Sequence, residues 1–245
     1  MSVVAADGGR LRMLVDGLEA SVVDRAHPTH LDFPYMRWTA DVLDVGWRAD
    51  APLRAVHVGA GGCVLARYLA ATRPGSHSEA YESDPAVLHA LGTLIDLRAE
   101  PGLRVREGDG RELLSRHPAR SADVVVTDAF SGPVVPAHLT SIEYQHEVRR
   151  VLRAGGVHLM NVIDAPPGRV ARRQAATLLD AYAEVVLMTP RAVLAGRRTG
   201  NVVLAGADRT LSLARLRARA GKDHEILAPA EVAVLAEGAA VLRDR

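Results

Sequence analysis

The chain has 245 residues, of which 48% are hydrophobic and 24% charged, which is enough for one full α/β domain with a modest addition. Its formal net charge is +1 and no apolar run approaches the roughly 20 residues of a membrane span, so we expect neither a nucleic-acid nor a membrane partner. The N-terminus lacks the basic-then-apolar pattern of a signal peptide, and we therefore expect a cytoplasmic protein.

Residues 1–50 are predicted to form a hairpin and a lid helix. The run LRMLVDGLEASVVD reads as two short strands around Asp16-Gly17, a dipeptide typical of a hairpin turn. FPYMRWTADVLDVGW then carries apolar residues at helical spacing, in a position to cover the mouth of a site. Tyr35 and Trp38 share one face of this helix, and they either line a crevice or belong to the core.

Strand and helix patterns alternate through residues 51–207. Strands are predicted at 54–58, 79–82, 103–107, 122–128, 157–163, 184–188 and 201–205. Helices are predicted at 63–72, 85–98, 111–117, 140–153 and 168–182. This alternation predicts a mostly parallel, seven-stranded sheet with helices on both faces.

The last two predicted strands distinguish between fold families. The segment 189–200 is too short for a helical crossover, so these strands are expected to pair antiparallel. Five βα units followed by such a pair describe the Rossmann-like fold of class I S-adenosylmethionine (SAM)-dependent methyltransferases better than a dehydrogenase fold. Residues 51–207 would then be a nucleoside-binding catalytic domain, and residues 208–245 a helical tail without a chemical motif.

A glycine-rich turn follows the first of these strands. RAVHVGAGG places Gly59 and Gly61 between strand and helix, where glycine permits a positive φ and lets a ligand approach the backbone closely. About 20 residues later, Glu82 and Ser83 end the second strand, where an acid can hold two ribose hydroxyls. Turn and acid together predict a bound nucleoside, although such a turn alone often only packs helix on strand.

Two further acids follow strands at the same predicted edge. Asp109, in GDGREL, stands where an acid can meet an adenine amino group, with helix capping as the alternative. Asp128, in VVVTDAF, can accept a proton from an attacking amine or orient it, with capping of the following loop as the alternative. Asp84 is expected to cap the next helix.

No metal site is predicted. The ten histidines form no ligand pattern: Pro28 separates His27 from His30, and no third ligand is evident. Cys63 is the sole cysteine, which rules out an intrachain disulfide, and it is expected to pack against the sheet.

Taken together, these motifs resemble the spermidine synthase family of polyamine aminopropyltransferases, over about residues 12–206. The resemblance is most specific in VHVGAGG, AYESDPAV, EGDGREL and DVVVTDAFSGPVVPAHLTSIEYQHEVRRVLRAGGV. It is closest to the divergent spermidine-synthase-like proteins of high-GC bacteria.

The resemblance implies a chemistry and a set of site residues. The family's donor is decarboxylated SAM, its by-product is methylthioadenosine, and its acceptor is a small-molecule amine; no metal takes part, and a homodimer is expected. Asp128 would take the catalytic aspartate role, and Tyr35 stands in the place of the family's lid tyrosine. The donor would be bound by residues after the first three strands: Gly59, Gly61, Glu82, Ser83, Asp109 and Gly110.

Several positions depart from the family pattern. Gly62 replaces an aspartate of the glycine loop, and Ser131 replaces a second aspartate that binds the diamine. Ala20 replaces a glutamine, Tyr35-Met36-Arg37 replaces Tyr-His-Glu, and the loop before the last strand has no match in TPRAVLAGRRTGN. A diammonium acceptor needs paired anions once it leaves water. Four arginines could instead make the site's mouth unfavourable to polyamines: Arg37, Arg191, Arg197 and Arg198.

Three functions remain compatible with the sequence. The first is aminopropyl transfer to an acceptor other than plain putrescine. The second is a SAM-dependent methyltransferase, favoured by the missing acid at position 62, because intact SAM carries a carboxylate that an acid would repel. The third is a catalytically inactive nucleoside-binding homologue.

Overall fold

Three antiparallel strands begin the chain in the computed structural model, which describes residues 2–5, 9–15, 17–100 and 102–244. They are β1 (Ser2–Ala5), β2 (Arg10–Val15) and β3 (Leu18–Asp24), with β2 in the centre. The pairing of Val15 with Leu18 confirms the predicted hairpin, although Asp16 of its turn lies outside the described residues. β1 is an additional strand that the sequence pattern did not predict.

The main sheet has eight strands in the order β11-β9-β10-β8-β7-β4-β5-β6. Their bounds are β4 (Arg54–Val58), β5 (His77–Glu82), β6 (Leu103–Glu107), β7 (Ala122–Thr127), β8 (Leu152–Asp164), β9 (Glu184–Pro190), β10 (Gly200–Ala207) and β11 (His224–Leu227). Strands β4 to β8 pair in parallel. The antiparallel pairing of β9 with β10 confirms that prediction, and β10 inserts between β9 and β8.

The predicted count of seven strands is one too few. The eighth strand, β11, lies in the C-terminal segment for which only helices were predicted, and it pairs antiparallel with the edge strand β9. Its sequence, HEIL, is short and half polar, so it lacks the alternation that marks a strand. It is a strand because β9 offers it unpaired backbone groups.

Nine helices are described. They are α1 (Pro34–Gly46), α2 (Val64–Thr72), α3 (Pro85–Leu94), α4 (Gly110–Arg116), α5 (Ile142–Val151), α6 (Arg169–Ala181), α7 (Arg191–Leu194), α8 (Leu213–Arg219) and α9 (Pro229–Ala236). As predicted, Asp84 caps α3: its carboxylate accepts a hydrogen bond from the Ala86 amide at 2.8 Å. α3 and α5 are shorter than predicted, and β8 begins directly after α5, so Gly155 and Gly156 lie within a strand and not in a loop.

The two faces of the main sheet carry separate apolar cores. Side chains of α1, α2, α3 and α8 pack on one face, and those of α4, α5, α6 and α9 pack on the other. This arrangement confirms the predicted α/β fold with both faces covered. Among the described helices, none combines the length and apolar character needed to cross a membrane.

Candidate active site at the carboxyl edge of the sheet

The glycine turn after β4 brings two strands of the sheet into backbone contact. Gly59 has φ +95°, and its amide donates a hydrogen bond to the Tyr81 carbonyl at 2.9 Å. A Cβ atom at Gly59 would lie 2.3 Å from the backbone oxygen of Asp128. Only glycine fits this position, because any side chain would push β4 and β7 apart. Gly61 continues the turn with φ +48°.

The N-terminal sheet packs against Gly62, the position at which the resembled family has an aspartate. A Cβ atom at Gly62 would lie 2.5 Å from both Ser21 Oγ and Val23 Cγ2 of β3. The Gly62 amide also donates a hydrogen bond to Ser21 Oγ at 3.1 Å. The lack of a carboxylate at position 62 therefore leaves no open space, because β3 packs closely on the turn.

Cys63 serves packing, as expected. It is buried, takes a left-handed conformation with φ 51° before α2, and has no disulfide partner. Burial raises the pKa of its thiol to about 12, so the thiolate is suppressed at neutral pH.

Glu82 joins the ends of β4 and β5. Its Oε2 accepts a hydrogen bond from the Ala60 amide at 3.1 Å, and its Oε1 accepts one from the Asp84 amide at 3.0 Å. These two bonds hold a partly buried carboxylate beside the glycine turn, at the height where a ribose would sit in folds of this kind. Ser83 follows it and is exposed.

Asp109 follows β6 and caps α4. One oxygen, Oδ1, accepts hydrogen bonds from the Arg111 and Glu112 amides, each at 3.0 Å, while Oδ2 lies 2.8 Å from His138 Nε2. Burial opposes ionisation, but the bonds from the Glu112 amide and from His138 keep the pKa of Asp109 below its usual value. The contact with His138 was not predicted, since the two residues are far apart in sequence.

Gly110 is required by packing. A Cβ atom at this position would lie 2.4 Å from Val58 Cγ1, so the start of α4 can rest on β4 only without a side chain. The capping role weighed for Asp109 is thus present in the structure, whereas the packing role of Gly110 was not predicted. A role of either residue in adenine binding remains a proposal.

Asp128 lies at the end of β7 and is held by neutral donors only. Tyr35 of α1 donates its hydroxyl to Oδ2 at 3.1 Å, and the Asn161 amide of β8 donates to Oδ1 at 2.8 Å. Asn201 of β10 in turn donates its amide to Asn161 Oδ1 at 3.2 Å. Among the described residues, no cationic side chain forms an ion pair with Asp128.

The surroundings of Asp128 favour a carboxylate that can take up a proton. Burial raises its pKa, and the hydrogen bonds from Asn161 and Tyr35 offset this only in part. Burial and the neighbouring carboxylate raise the pKa of Tyr35 well above its usual value, so the hydroxyl stays protonated and acts as a donor. A group with these properties can serve as a general base.

Tyr35 and Trp38, which share one face of α1, have separate environments. Tyr35 contacts Asp128, whereas Trp38 is buried in the core with its ring 4.7 Å from that of His224. The sequence left both placements open for each residue. Asn161 and Asn201 were not predicted as site residues. The one signal in the sequence was the polar amide of Asn161 within the apolar run of β8.

Thr127 anchors β7 just before Asp128. Its hydroxyl lies 2.7 Å from the Tyr144 hydroxyl and 2.9 Å from His158 Nε2, all within the core. Burial lowers the pKa of His158 to about 3, so the imidazole is neutral. This buried network lies on the face of the sheet opposite to Tyr35. It fixes the strand that presents Asp128.

Two of the four arginines that could make the mouth unfavourable to polyamines are paired with acidic side chains. Arg37 donates hydrogen bonds to Asp41, Asp44 and Tyr68, so its charge is already partly compensated. Its i, i+4 spacing from Asp41 on α1 makes that pairing local. Arg191 pairs with Glu225 of β11 at 2.7 Å. The other two, Arg197 and Arg198, are exposed.

The described residues contain no group of three or more histidine, cysteine, aspartate or glutamate side chains arranged to hold a metal ion. This edge presents hydrogen-bonding side chains, backbone amides and the carboxylate of Asp128.

A mainly parallel sheet with helices on both faces, and acids after its strands, defines the class I methyltransferase-like fold. Human methyltransferase-like protein 13, solved in complex with SAH, superposes with a TM-score of 0.59 at 19% identity, covering 88% of that chain and 82% of this one. At this identity the likeness concerns the fold. No protein-family model matches the chain.

Two further comparisons find similarity to aminopropyltransferases. A probable spermidine synthase from Corynebacterium glutamicum ATCC 13032 has a similar structure, with a TM-score of 0.89 and 26% identity over 99% of this chain and 92% of that one. A polyamine aminopropyltransferase of Vibrio vulnificus (strain CMCP6) is 30% identical over 131 residues, 53% of this chain. The match spans only 43% of that relative's length. In sequence and in structure the chain is thus similar to polyamine aminopropyltransferases and spermidine synthases, on a methyltransferase-like fold.

Proposed function

We propose that this protein transfers an aminopropyl group from decarboxylated SAM to an amine acceptor other than plain putrescine. The observation that carries the proposal is Asp128, a carboxylate with a raised pKa presented at the carboxyl edge of the sheet, beside the glycine turn. In this proposal the donor is bound by Gly59, Gly61, Glu82, Ser83, Asp109 and Gly110. By analogy with the family, the enzyme would be a cytoplasmic homodimer.

The proposed reaction needs a base more than any other catalyst. An aliphatic ammonium has a pKa of about 10, so the acceptor must lose a proton before its nitrogen can attack. In the reaction the nitrogen forms a bond to the carbon beside the sulfonium, the carbon–sulfur bond breaks, and methylthioadenosine leaves with the electron pair. Asp128 accepts the proton of the amine, while Tyr35 and Asn161 keep the carboxylate aligned.

The residues around Asp128 favour an acceptor that carries less positive charge than a diamine. The carboxylate of Asp128 is surrounded by neutral groups from Tyr35, Asn161 and Asn201. The position of Gly62 is filled by β3, and Ser131 supplies no charge. At these two positions a second ammonium would find no anion, and burying it unpaired would cost several kcal/mol.

A methyltransferase is the second candidate. The packing of Ser21 and Val23 against Gly62 leaves no acid that would repel the carboxylate of intact SAM. Against this reading, the likeness that spans nearly the whole chain is to a spermidine synthase.

Calorimetry with three nucleosides separates the candidates. We expect decarboxylated SAM and methylthioadenosine to bind and intact SAM to bind weakly, with release of methylthioadenosine when a panel of amines is added. Tight binding of intact SAM alone would favour the methyltransferase. Binding of nucleosides without turnover on any amine would identify an inactive homologue.

The role of Asp128 is tested by the nearly isosteric change Asp128→Asn. Turnover should fall by about 100-fold or more, while affinity for the donor stays almost unchanged. Asp180→Asn, which alters an exposed aspartate of α6, is the matched control and should retain full activity. Equal activity of the two variants would remove Asp128 from the mechanism.

A further inference from the structure

A cavity of about 800 Å³ lies over the amino-terminal halves of β4, β5 and β6, away from the site described above. It exists because α4 is short. Seven residues of helix extend about 10 Å, whereas strands of five or six residues extend about 17–20 Å. α4 therefore covers the carboxyl halves of these strands and leaves the other halves open. We call this opening the basic groove.

The strand register places several cations on the floor of the basic groove. Arg54 pairs with His77, and Glu79 pairs with Arg104, across parallel neighbours. Arg106 follows Arg104 by two residues and shares its face, because side chains alternate along a strand. Four basic side chains, those of Arg54, His77, Arg104 and Arg106, thus point from three adjacent strands into one opening.

Positive charge in the basic groove exceeds negative charge. Its lining contains four arginines and one carboxylate, Glu79. Glu79 is already engaged by Arg106 at 2.5 Å, and Arg116 pairs with Glu112 of its own helix. Among the described residues, Arg54 and Arg104 form no ion pair. Two guanidinium groups therefore remain available, on strands about 10 Å apart.

The shape and charge of the basic groove select its occupant. A second copy of the chain placed symmetrically here would bring arginines against arginines, which is repulsive. An apolar helix would find charged groups where it needs hydrophobic contacts. A cavity of this volume is in the range of small-molecule sites, and guanidinium groups bind phosphate oxygens in pairs.

We propose that the basic groove binds a phosphorylated small molecule of about nucleotide size, with Arg54 and Arg104 holding its phosphate chain. Polar groups that line the groove contact the remainder of the ligand, among them His117 at the end of α4, whose Nδ1 lies 2.8 Å from the Tyr81 hydroxyl. The site is separate from the carboxyl edge and does not depend on the function proposed above.

Calorimetry of the full chain with inorganic tripolyphosphate, in sulfate- and phosphate-free buffer, tests the anion site. This probe has no nucleoside, so it measures the basic groove and not the donor site. We expect binding that weakens with added salt and that an excess of methylthioadenosine does not displace. With methylthioadenosine in excess, so that the donor site is filled, ATP and GTP should bind more tightly than tripolyphosphate. Absence of binding, or displacement by methylthioadenosine, would overturn the proposal.

Paired variants locate the binding. The double change Arg54→Ser and Arg104→Ser should weaken tripolyphosphate binding by about tenfold or more. The matched control, Arg48→Ser with Arg243→Ser, removes the same charge from two exposed arginines outside the groove and should leave binding almost unchanged. Equal losses would show a non-specific charge effect and refute the site, as would tighter binding of duplex DNA than of ATP.

Discussion

Replacing Gly59 by alanine tests the contact on which the geometry of the site depends. Two costs add at this position. A residue with a side chain is strained at φ +95°, by about 1–3 kcal/mol, and a Cβ atom 2.3 Å from the Asp128 oxygen forces backbone movement at about another 1–3 kcal/mol. We expect Gly59→Ala to lower the free energy of unfolding by about 4 kcal/mol, and Tm by about 8–16 °C for a domain of this size.

The matched control is Gly238→Ala. Gly238 has φ +72°, yet a Cβ atom there would meet nothing within 4 Å, so only the conformational cost applies. Its expected loss is about 1–2 kcal/mol. Urea unfolding followed by far-UV circular dichroism gives both free energies at 25 °C. If the two variants lose equal stability, the close approach of the turn to β7 does not contribute, and the reasoning fails.

Three further predictions concern the acid, the turn and two buried histidines. Tyr35→Phe removes a hydrogen bond that lowers the pKa of Asp128, so the acid limb of the pH–rate profile should move to higher pH with donor affinity unchanged; an unmoved limb would contradict this. Gly62→Asp should destabilise the fold by about 3 kcal/mol in urea unfolding, because β3 fills the space; full stability together with new diamine binding would show the opposite. Burial lowers the pKa of His57 to about 4 and of His158 to about 3, so on acidification the unfolded state takes up these protons before the folded state does. As the pH is lowered from about 6.5 to 4, each histidine should therefore reduce the free energy of unfolding by up to about 1.4 kcal/mol per pH unit. His57→Asn should remove its share of that slope, and an unchanged slope would refute the assignment.

Local signals were sufficient for most of the fold. β4 and β7 are apolar runs that end in glycine or acid, and each can be read from its own residues. The Asp84 cap and the antiparallel end of the sheet likewise follow from spacing alone. The strand HEIL could not be predicted, since only its partner β9 makes it a strand. The junction of α5 and β8 was misplaced because Gly155-Gly156 has the composition of a loop.

The site was predictable where a single strand end determines it. Asp128 follows an apolar strand, so its place at the edge could be read from the sequence. Asn161 and Asn201 could not be identified in this way: each acquires its role through the pairing of β8 with β7 and with β10. The same holds for His138 at Asp109, a contact between a 3₁₀ turn and the start of α4 that no periodic pattern encodes.

The C-terminal segment fastens the helix that carries Tyr35. Arg219 of α8 pairs with Asp41 at 2.7 Å and with Asp44 at 2.6 Å, both on α1, and Arg215 donates to the Val45 carbonyl at 3.0 Å. Any shortening, fusion or proteolytic nick that frees α8 would therefore loosen the aromatic hydroxyl above the carboxylate without touching the cleft itself. In directed evolution, substitutions in α8 would therefore alter the contact between Tyr35 and Asp128 from a distance.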